Sequence, residues 1–211
     1  MDWSFRDNWD EYTWAKEIRK DELRIAGYFS ALKSCLDLPG EEDMIFKRLM
    51  SQPELVPTGV SDPLRTLKAE METAEEDSEE NETLSKSRRN TFEPARRVEK
   101  IVVEWNLLAA AHLPIGDVKN VLAVTCAFGK LLSRIYNFME TEETSVTLTL
   151  RISLLKHILA DLNETVQQLM AIQTCAASEI SAGFSEKFFT PLAFVRELVI
   201  DKIKELNKQP E

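Results

Sequence analysis

The sequence predicts an all-α protein, a C-terminal four-helix up-down bundle with additional N-terminal helices packed on it. Only six glycines and eight prolines occur among the 211 residues, fewer turn residues than a protein made of strands and hairpins needs. Apolar residues recur at three- and four-residue steps through most of the chain, the spacing that gives a helix one apolar face. A chain of this length can bury a core without a disulfide or a structural metal.

The N-terminal region, residues 1–73, is predicted to contain three helices. The first covers about residues 8–36 and ends before a proline and a glycine, and the second covers residues 41–50. The third begins at Pro63, because proline suits the first position of a helix. The predicted buried face of the first helix consists of Trp14, Ile18, Ile25, Phe29, Leu32 and Leu36.

An acidic stretch follows this region. Residues 69–82 carry eight acidic side chains and one large apolar side chain, Met71. Such a segment cannot bury enough apolar surface to offset the entropy that is lost on ordering. We therefore predict an acidic, intrinsically disordered linker or insert over residues 74–92.

The C-terminal region, residues 93–211, is predicted to form the bundle, because short connections between helices favour antiparallel neighbours. The predicted helices cover residues 93–111, 118–140, 145–178 and 190–207. The third begins with SVTLTLRISL, which is rich in β-branched residues and alternates between polar and apolar ones, so a strand is one alternative there. The helical period of apolar residues continues through it and favours a helix. Residues 181–189 are predicted as a loop, after which Thr190 caps the last helix and Pro191 takes its first position.

Charge and composition disfavour several classes of function. The net charge of −10 disfavours nucleic acids and anionic membranes as partners, because phosphates repel an acidic surface. No uncharged apolar run approaches 18 residues, and the N-terminus lacks the basic and apolar parts of a signal peptide, so we expect no membrane span and no secretion. Cys35, Cys126 and Cys175 are interpreted as buried free thiols in a reducing compartment, the cytoplasm or the nucleus.

The catalytic and cofactor motifs that sequence alone can identify are absent. The chain has no phosphate-binding loop, no dinucleotide-binding glycine pattern, no nucleophile elbow and no His-Glu-x-x-His motif. His157 and Asp161 lie four residues apart with Glu164 one turn further on, but the Glu-x-x-His pattern of di-iron bundles is lacking. An ordinary surface hydrogen bond between His157 and Asp161 is therefore favoured, and we expect no metal and no cofactor.

One seven-residue segment is similar to a catalytic motif. Residues 151–157, RISLLKH, place Arg151 six positions before His157 on a predicted helix. The segment resembles the Arg-x(4–6)-His motif of HEPN-type ribonucleases, helical-bundle enzymes that usually cleave RNA as dimers. The resemblance implies that His157 moves protons and that Arg151 holds the scissile phosphate, without a metal. In the alternative interpretation, Arg151 is a surface ion-pair partner and His157 is a polar residue of the helix face.

Aromatic residues are concentrated at the N-terminus, among acidic ones. Tryptophan is a preferred anchor of protein interfaces, so this segment can dock on a partner, although it can also pack on its own bundle. The residues predicted to bind a partner are Trp3, Phe5, Trp9 and Trp14. A basic tetrapeptide that ends at Thr91 predicts a phosphorylation site.

These patterns favour binding over catalysis. We expect a helical protein-protein interaction or regulatory subunit of a larger assembly, which binds a protein partner or a second copy of itself. The alternatives are a HEPN-like, metal-independent ribonuclease or toxin component that uses Arg151 and His157, and a binder of a small molecule in a closed cavity of the bundle.

Overall fold

Helices account for most of the structure. The computed structural model describes residues 9–35, 38–58, 92–112, 118–144, 147–175 and 183–208. Of these residues, 87% lie in helices and none lies in a strand, so the predicted all-α class is confirmed. No helix in the described ranges is long and apolar enough to cross a membrane.

The chain divides into two compact units, Met1–Thr83 (unit 1) and Leu84–Glu211 (unit 2). The division falls inside the segment predicted as an acidic linker. Residues 74–91 of that segment lie outside the described residues, as does the helix predicted to begin at Pro63. The disordered linker and the packing of the N-terminal helices on the bundle therefore stay predictions.

The described residues of unit 1 form a long helix followed by a short one. Helix α1 covers Glu11–Cys35, helix α2 covers Glu41–Met50, and a short 3-10 helix covers Pro53–Leu55. Gly40 precedes α2 in a left-handed conformation, with φ of 71°, which glycine adopts at little steric cost. The predicted break between the two helices is thus confirmed.

Small side chains of α1 bring it close to α2, and Tyr28 and Leu32 pack beside them. Ala31 lies in one buried cluster with Ile45, Leu49 and Leu55. A Cβ atom at Gly27 would lie 2.6 Å from Cδ2 of Leu49, closer than carbon atoms approach without a shift of the neighbour. The second helix therefore packs on the small-residue side of α1, which lets the two backbones come close.

The predicted buried face of α1 is wrong in part. Ile18 is buried, but Ile25 and Phe29 are 58% and 63% exposed. Two residues along a helix turn the side-chain direction by about 200°, so both Ile25 and Phe29 point away from the side on which Gly27 lies. Because α2 takes the glycine side, these two large side chains stay outside the contact.

In the described part of unit 2 there are four longer helices. They are α3 (Glu93–His112), α4 (Val118–Glu140), α5 (Leu148–Cys175) and α6 (Thr190–Leu206). Each agrees with its predicted range to within about three residues. Since the chain is helical from Leu148, the strand that the sequence left open at the start of α5 is not formed in the described residues.

The four helices of unit 2 pack around one core. The contact of α4 with α5 is the most extensive, and α3 packs on α4, α5 on α6, and α6 on α3. An exact up-down order of the helices stays a prediction. Fully buried side chains at the centre include Trp105, Phe128, Leu155, Ile158, Phe188 and Val195.

The chain before α6 differs from the predicted loop and cap. Ser185–Phe189 form a π-helical turn that leads directly into α6, and the residue before Thr190 already has helical angles (φ −70°, ψ −45°), so Thr190 is not a cap. The physical reason is burial. Phe184 and Phe188 both lie in the core, with the ring of Phe188 6.0 Å from that of Trp105, and a helical turn places them on one side.

An ion-pair network lies between α4 and α5. Nε of Arg134 donates to Oδ2 of Asp161 at 3.1 Å, and both side chains are less than one tenth exposed. Nζ of Lys130 lies 3.1 Å from Oδ1 of Asp161 and 3.1 Å from Oε2 of Glu164. Asp161 thus holds two cations of α4, and an offset of the two helices by one turn, about 5.4 Å, would break both contacts.

Candidate functional site

The N-terminal end of α1 is fixed by local contacts. The rings of Trp9 and Trp14 lie edge to face, with centroids 4.8 Å apart, and both side chains are partly buried. Between them, Asp10 caps the helix, because its carboxylate accepts the backbone N–H of Thr13 at 2.8 Å. Hydrogen bonds from the side chain and the backbone of Thr13 hold the pKa of Asp10 below its ordinary value.

Three predicted site residues lie outside the described part of the chain. They are Trp3 and Phe5, predicted to bind a partner, and Thr91, predicted to be phosphorylated. Nothing in the packing of Trp9 against Trp14 tests partner binding either. All of these assignments stay predictions.

Helix α1 leaves four large apolar side chains on the surface. Tyr12, Leu23, Ile25 and Phe29 are each more than half exposed. Single exposed apolar residues are normal on a protein surface, whereas neighbouring ones on the same side of a helix indicate an interaction site. Ile25 and Phe29 are one helical turn apart and are therefore neighbours on that surface.

A groove of about 520 Å³ runs along the N-terminal half of α1, a volume in the range of ligand-binding clefts. One wall is α1, which contributes Tyr12, Lys16, Arg19 and Leu23. These positions follow one another at steps of four, three and four residues, so they fall on one side of the helix. Pro53 of the 3-10 helix lies on the other wall.

Lys20 also lines the groove, and contacts within unit 1 neutralise it. Its Nζ donates to the carbonyl oxygen of Val56 at 3.0 Å and to the hydroxyl of Thr58 at 2.8 Å. The same atom lies 3.3 Å from the carboxylate of Glu17. The side chain of Lys20 therefore joins α1 to the segment that follows the 3-10 helix.

Glu17 is the buried anion of this network. Its carboxylate accepts the backbone N–H of Thr58 at 3.3 Å and the Thr58 hydroxyl at 2.9 Å, and it pairs with Lys20 and Arg24. Burial raises the pKa of Glu17, but the hydrogen bonds from Thr58 and the two cations outweigh burial, so the pKa lies below its ordinary value. Glu17 is thus charged at neutral pH and compensated inside unit 1.

Lys16 and Arg19 differ from Lys20. Both side chains are exposed, and neither has a carboxylate partner among the residues that the structure describes. The acidic residue that lines the groove is Glu54, on the opposite wall. Two uncompensated cations one turn apart therefore border an apolar groove, in a chain whose net charge is −10.

The sequence did not predict this groove. The helical spacing of Tyr12, Lys16, Arg19 and Leu23 is visible in the sequence and could have indicated a mixed basic and aromatic face. The second wall was not visible, because Pro53 comes from a different element and only the fold brings it beside α1.

The arginine of the segment that resembles a ribonuclease motif, Arg151, makes contacts within the fold. Arg151 is 7% exposed, its Nη2 lies 3.1 Å from Oε2 of Glu143, and its guanidinium carbon lies 4.7 Å from the ring centroid of Phe138. Arg151 is therefore an ion-pair partner, as the alternative interpretation expects, but its own side chain is buried, whereas that of Glu143 is 47% exposed. Six residues turn a helix by about 600°, so Arg151 and His157 point about 120° apart. This geometry gives no support to a shared catalytic site.

The predicted surface hydrogen bond of His157 with Asp161 needs a correction. Asp161 is 3% exposed and lies in the ion-pair network with Arg134 and Lys130, so it is not a surface residue. In the described ranges, no group of three or more histidine, cysteine, aspartate or glutamate side chains is placed to hold a metal ion.

The cysteines are less buried than predicted. Cys126 is exposed and Cys35 is partly buried, and both are free thiols. Cys126 lies two residues before Phe128, whose ring is in the core, so the helix turns the thiol to the outer side of α4. The side chain of Cys175 lies outside the described set.

Comparisons with other proteins gave no match: no family model, no curated protein and no solved structure is similar to this chain.

Proposed function

We propose that the chain is a helical protein-protein interaction or regulatory subunit of a larger assembly, with α1 as its docking helix. The observation that supports this proposal is the exposure of Ile25 and Phe29 on a continuous helix. Covering apolar surface is favourable by about 25 cal/mol per Å², and an exposed pair at helical spacing is a common anchor for a partner's helix.

The proposal assigns the chain no catalytic step. Glu143 and Phe138 hold the guanidinium of Arg151, the residue to which the ribonuclease resemblance assigns the scissile phosphate. The free thiols of Cys35 and Cys126 suit a reducing compartment, so we place the subunit in the cytoplasm or the nucleus.

The test is affinity purification of the tagged full chain from cells of its source, with quantitative mass spectrometry of the proteins recovered. Wild type is compared with Ile25→Asp/Phe29→Asp and with the control Val103→Asp/Leu107→Asp. The control pair lies on α3, also one turn apart, and is 58% and 66% exposed. Circular dichroism shows that each variant is folded.

We expect a partner in a fixed ratio to the chain, reduced at least tenfold by Ile25→Asp/Phe29→Asp and unchanged by the control. A tenfold loss corresponds to about 1.4 kcal/mol, less than the burial of one large apolar side chain contributes. Recovery of the same proteins in the same amounts with all three chains would contradict the proposal.

A further inference from the structure

The groove along α1 has a defined pattern of charge. Its α1 wall places an apolar residue, two cations and an apolar residue in line: Tyr12, Lys16, Arg19 and Leu23. From the first to the last, this line extends about 16 Å, three turns of helix. Tyr12 is 78% exposed, so the aromatic end is open to a ligand.

The two cations are available for a partner, whereas the third lysine of the groove is not. Lys20 lines the groove, but its ammonium group is already bound by Glu17, Val56 and Thr58. Lys16 and Arg19 have no carboxylate partner in the described ranges. An anionic group placed between them gains charge-assisted hydrogen bonds, which are shorter and stronger than neutral ones.

We propose that this groove binds an acidic segment of a partner protein, with carboxylates at Lys16 and Arg19 and an apolar side chain on Tyr12 or Leu23. The inference rests on the proposed function, since it names the chemistry of the partner. Charge complementarity selects this occupant. A chain of net charge −10 repels acidic proteins in general, so two cations beside exposed apolar side chains form a local exception.

The experiment uses a fluorescein-labelled peptide of twelve residues that carries glutamate and leucine at helical spacing. A second peptide has lysine in place of glutamate. Fluorescence anisotropy measures binding of each to the full-length chain, at low and at high salt. The variant is Lys16→Glu/Arg19→Glu, and the control is Lys47→Glu/Arg48→Glu, an exposed basic pair on α2. The conservative variant Lys16→Arg/Arg19→Lys keeps both charges.

We expect saturable binding of the glutamate peptide that weakens with salt. It should fall at least tenfold in Lys16→Glu/Arg19→Glu and change less than twofold in the control and in the conservative variant. No saturable binding by wild type, equally tight binding of the lysine peptide, or equal loss in the variant and the control would overturn the proposal.

Two further outcomes separate this inference from its alternatives. In one further variant, the glutamate and aspartate residues of 69–82 are replaced by glutamine and asparagine. If the peptide binds this variant but not wild type, the groove holds the chain's own acidic stretch, and the proposal is overturned. If wild type does not bind the glutamate peptide but a partner that depends on Ile25 and Phe29 is recovered, only the proposal for the groove is overturned. In that case the proposed function stands.

Discussion

Replacing Asp161 is expected to destabilise unit 2 far more than replacing Arg134, its partner in the buried pair. Asp161 holds two cations of α4, each at 3.1 Å. In Asp161→Ala, the guanidinium of Arg134 stays buried, 8% exposed, and loses the Asp161 carboxylate that lies 3.1 Å away. In Arg134→Met, Asp161 keeps Lys130, which is 40% exposed and partly solvated.

The magnitudes follow from this asymmetry. Removing one partner of a buried ion pair costs about 3–5 kcal/mol, and we expect that loss in the free energy of unfolding for Asp161→Ala. Arg134→Met leaves one ion pair and most of the apolar contact, so about 1.5–3 kcal/mol is expected, the size of one hydrogen bond to a charged group. The double variant Arg134→Met/Asp161→Leu buries no charge there and should lie within about 1 kcal/mol of wild type.

Urea unfolding followed by far-ultraviolet circular dichroism measures these differences. At a slope of about 2 kcal/mol per molar urea, a loss of about 3–5 kcal/mol lowers the midpoint by about 1.5–2.5 M. Equal destabilisation by the two single variants would refute the reasoning. So would a double variant as unstable as Asp161→Ala, because the effect would then come from packing and not from the lost ion pair.

Two further predictions concern Phe188 and Glu17. Phe188→Ala removes a fully buried ring and should lower the free energy of unfolding by about 3–5 kcal/mol, whereas the exposed neighbour Lys187→Ala should change it by less than about 0.5 kcal/mol in the same urea assay. Glu17→Gln should lower the melting temperature at neutral pH but not in acid. The pKa of Glu17 is lowered from 4.5 on folding, so the stability that its charge contributes is present above pH 4.5 and is lost as the pH falls through the folded-state pKa. A melting-temperature difference between wild type and variant that stays constant on acidification would contradict this.

Helix positions were predictable because the period of apolar residues is a local property. Gly40 marked the end of α1, and the ranges of α3 to α6 followed from spacing alone. The predicted loop before α6 failed because Gly183 and two serines indicate a turn, while the burial of Phe184 and Phe188 favours a helix there. Burial against Trp105 depends on tertiary packing, which the local sequence does not contain.

The proposed interaction surface was less predictable, because α1 has two sets of residues at helical spacing. Ile25 and Phe29 form the larger apolar set, and the sequence therefore favours their burial. Gly27 and Ala31 form a set of small residues, which allows closer approach of a second helix, and α2 packs there. The pattern of apolar residues predicts which residues share a face of a helix, but it does not predict which face the next helix covers.

The contacts of Arg151 were hidden for a similar reason. A buried arginine needs an anion and a polarisable neighbour, and in the sequence RISLLKH neither is present. Phe138, on the preceding helix, and Glu143, just after it, supply both once α5 packs on α4. Sequence resemblance over seven residues could not separate a phosphate-binding arginine from a structural one.

The close approach at Gly27 has a consequence for how this protein can change. At Gly27, folding of unit 1 uses one side of α1, whereas the proposed partner would contact Ile25 and Phe29 on the opposite side and the groove at Lys16 and Arg19 nearer the N-terminus. Substitutions at the exposed positions 25 and 29 can therefore alter affinity over a wide range at nearly constant stability, whereas a larger residue at position 27 alters stability first. Selection can then act on recognition and on folding separately, so α1 can gain or lose partners without first compensating for a damaged core.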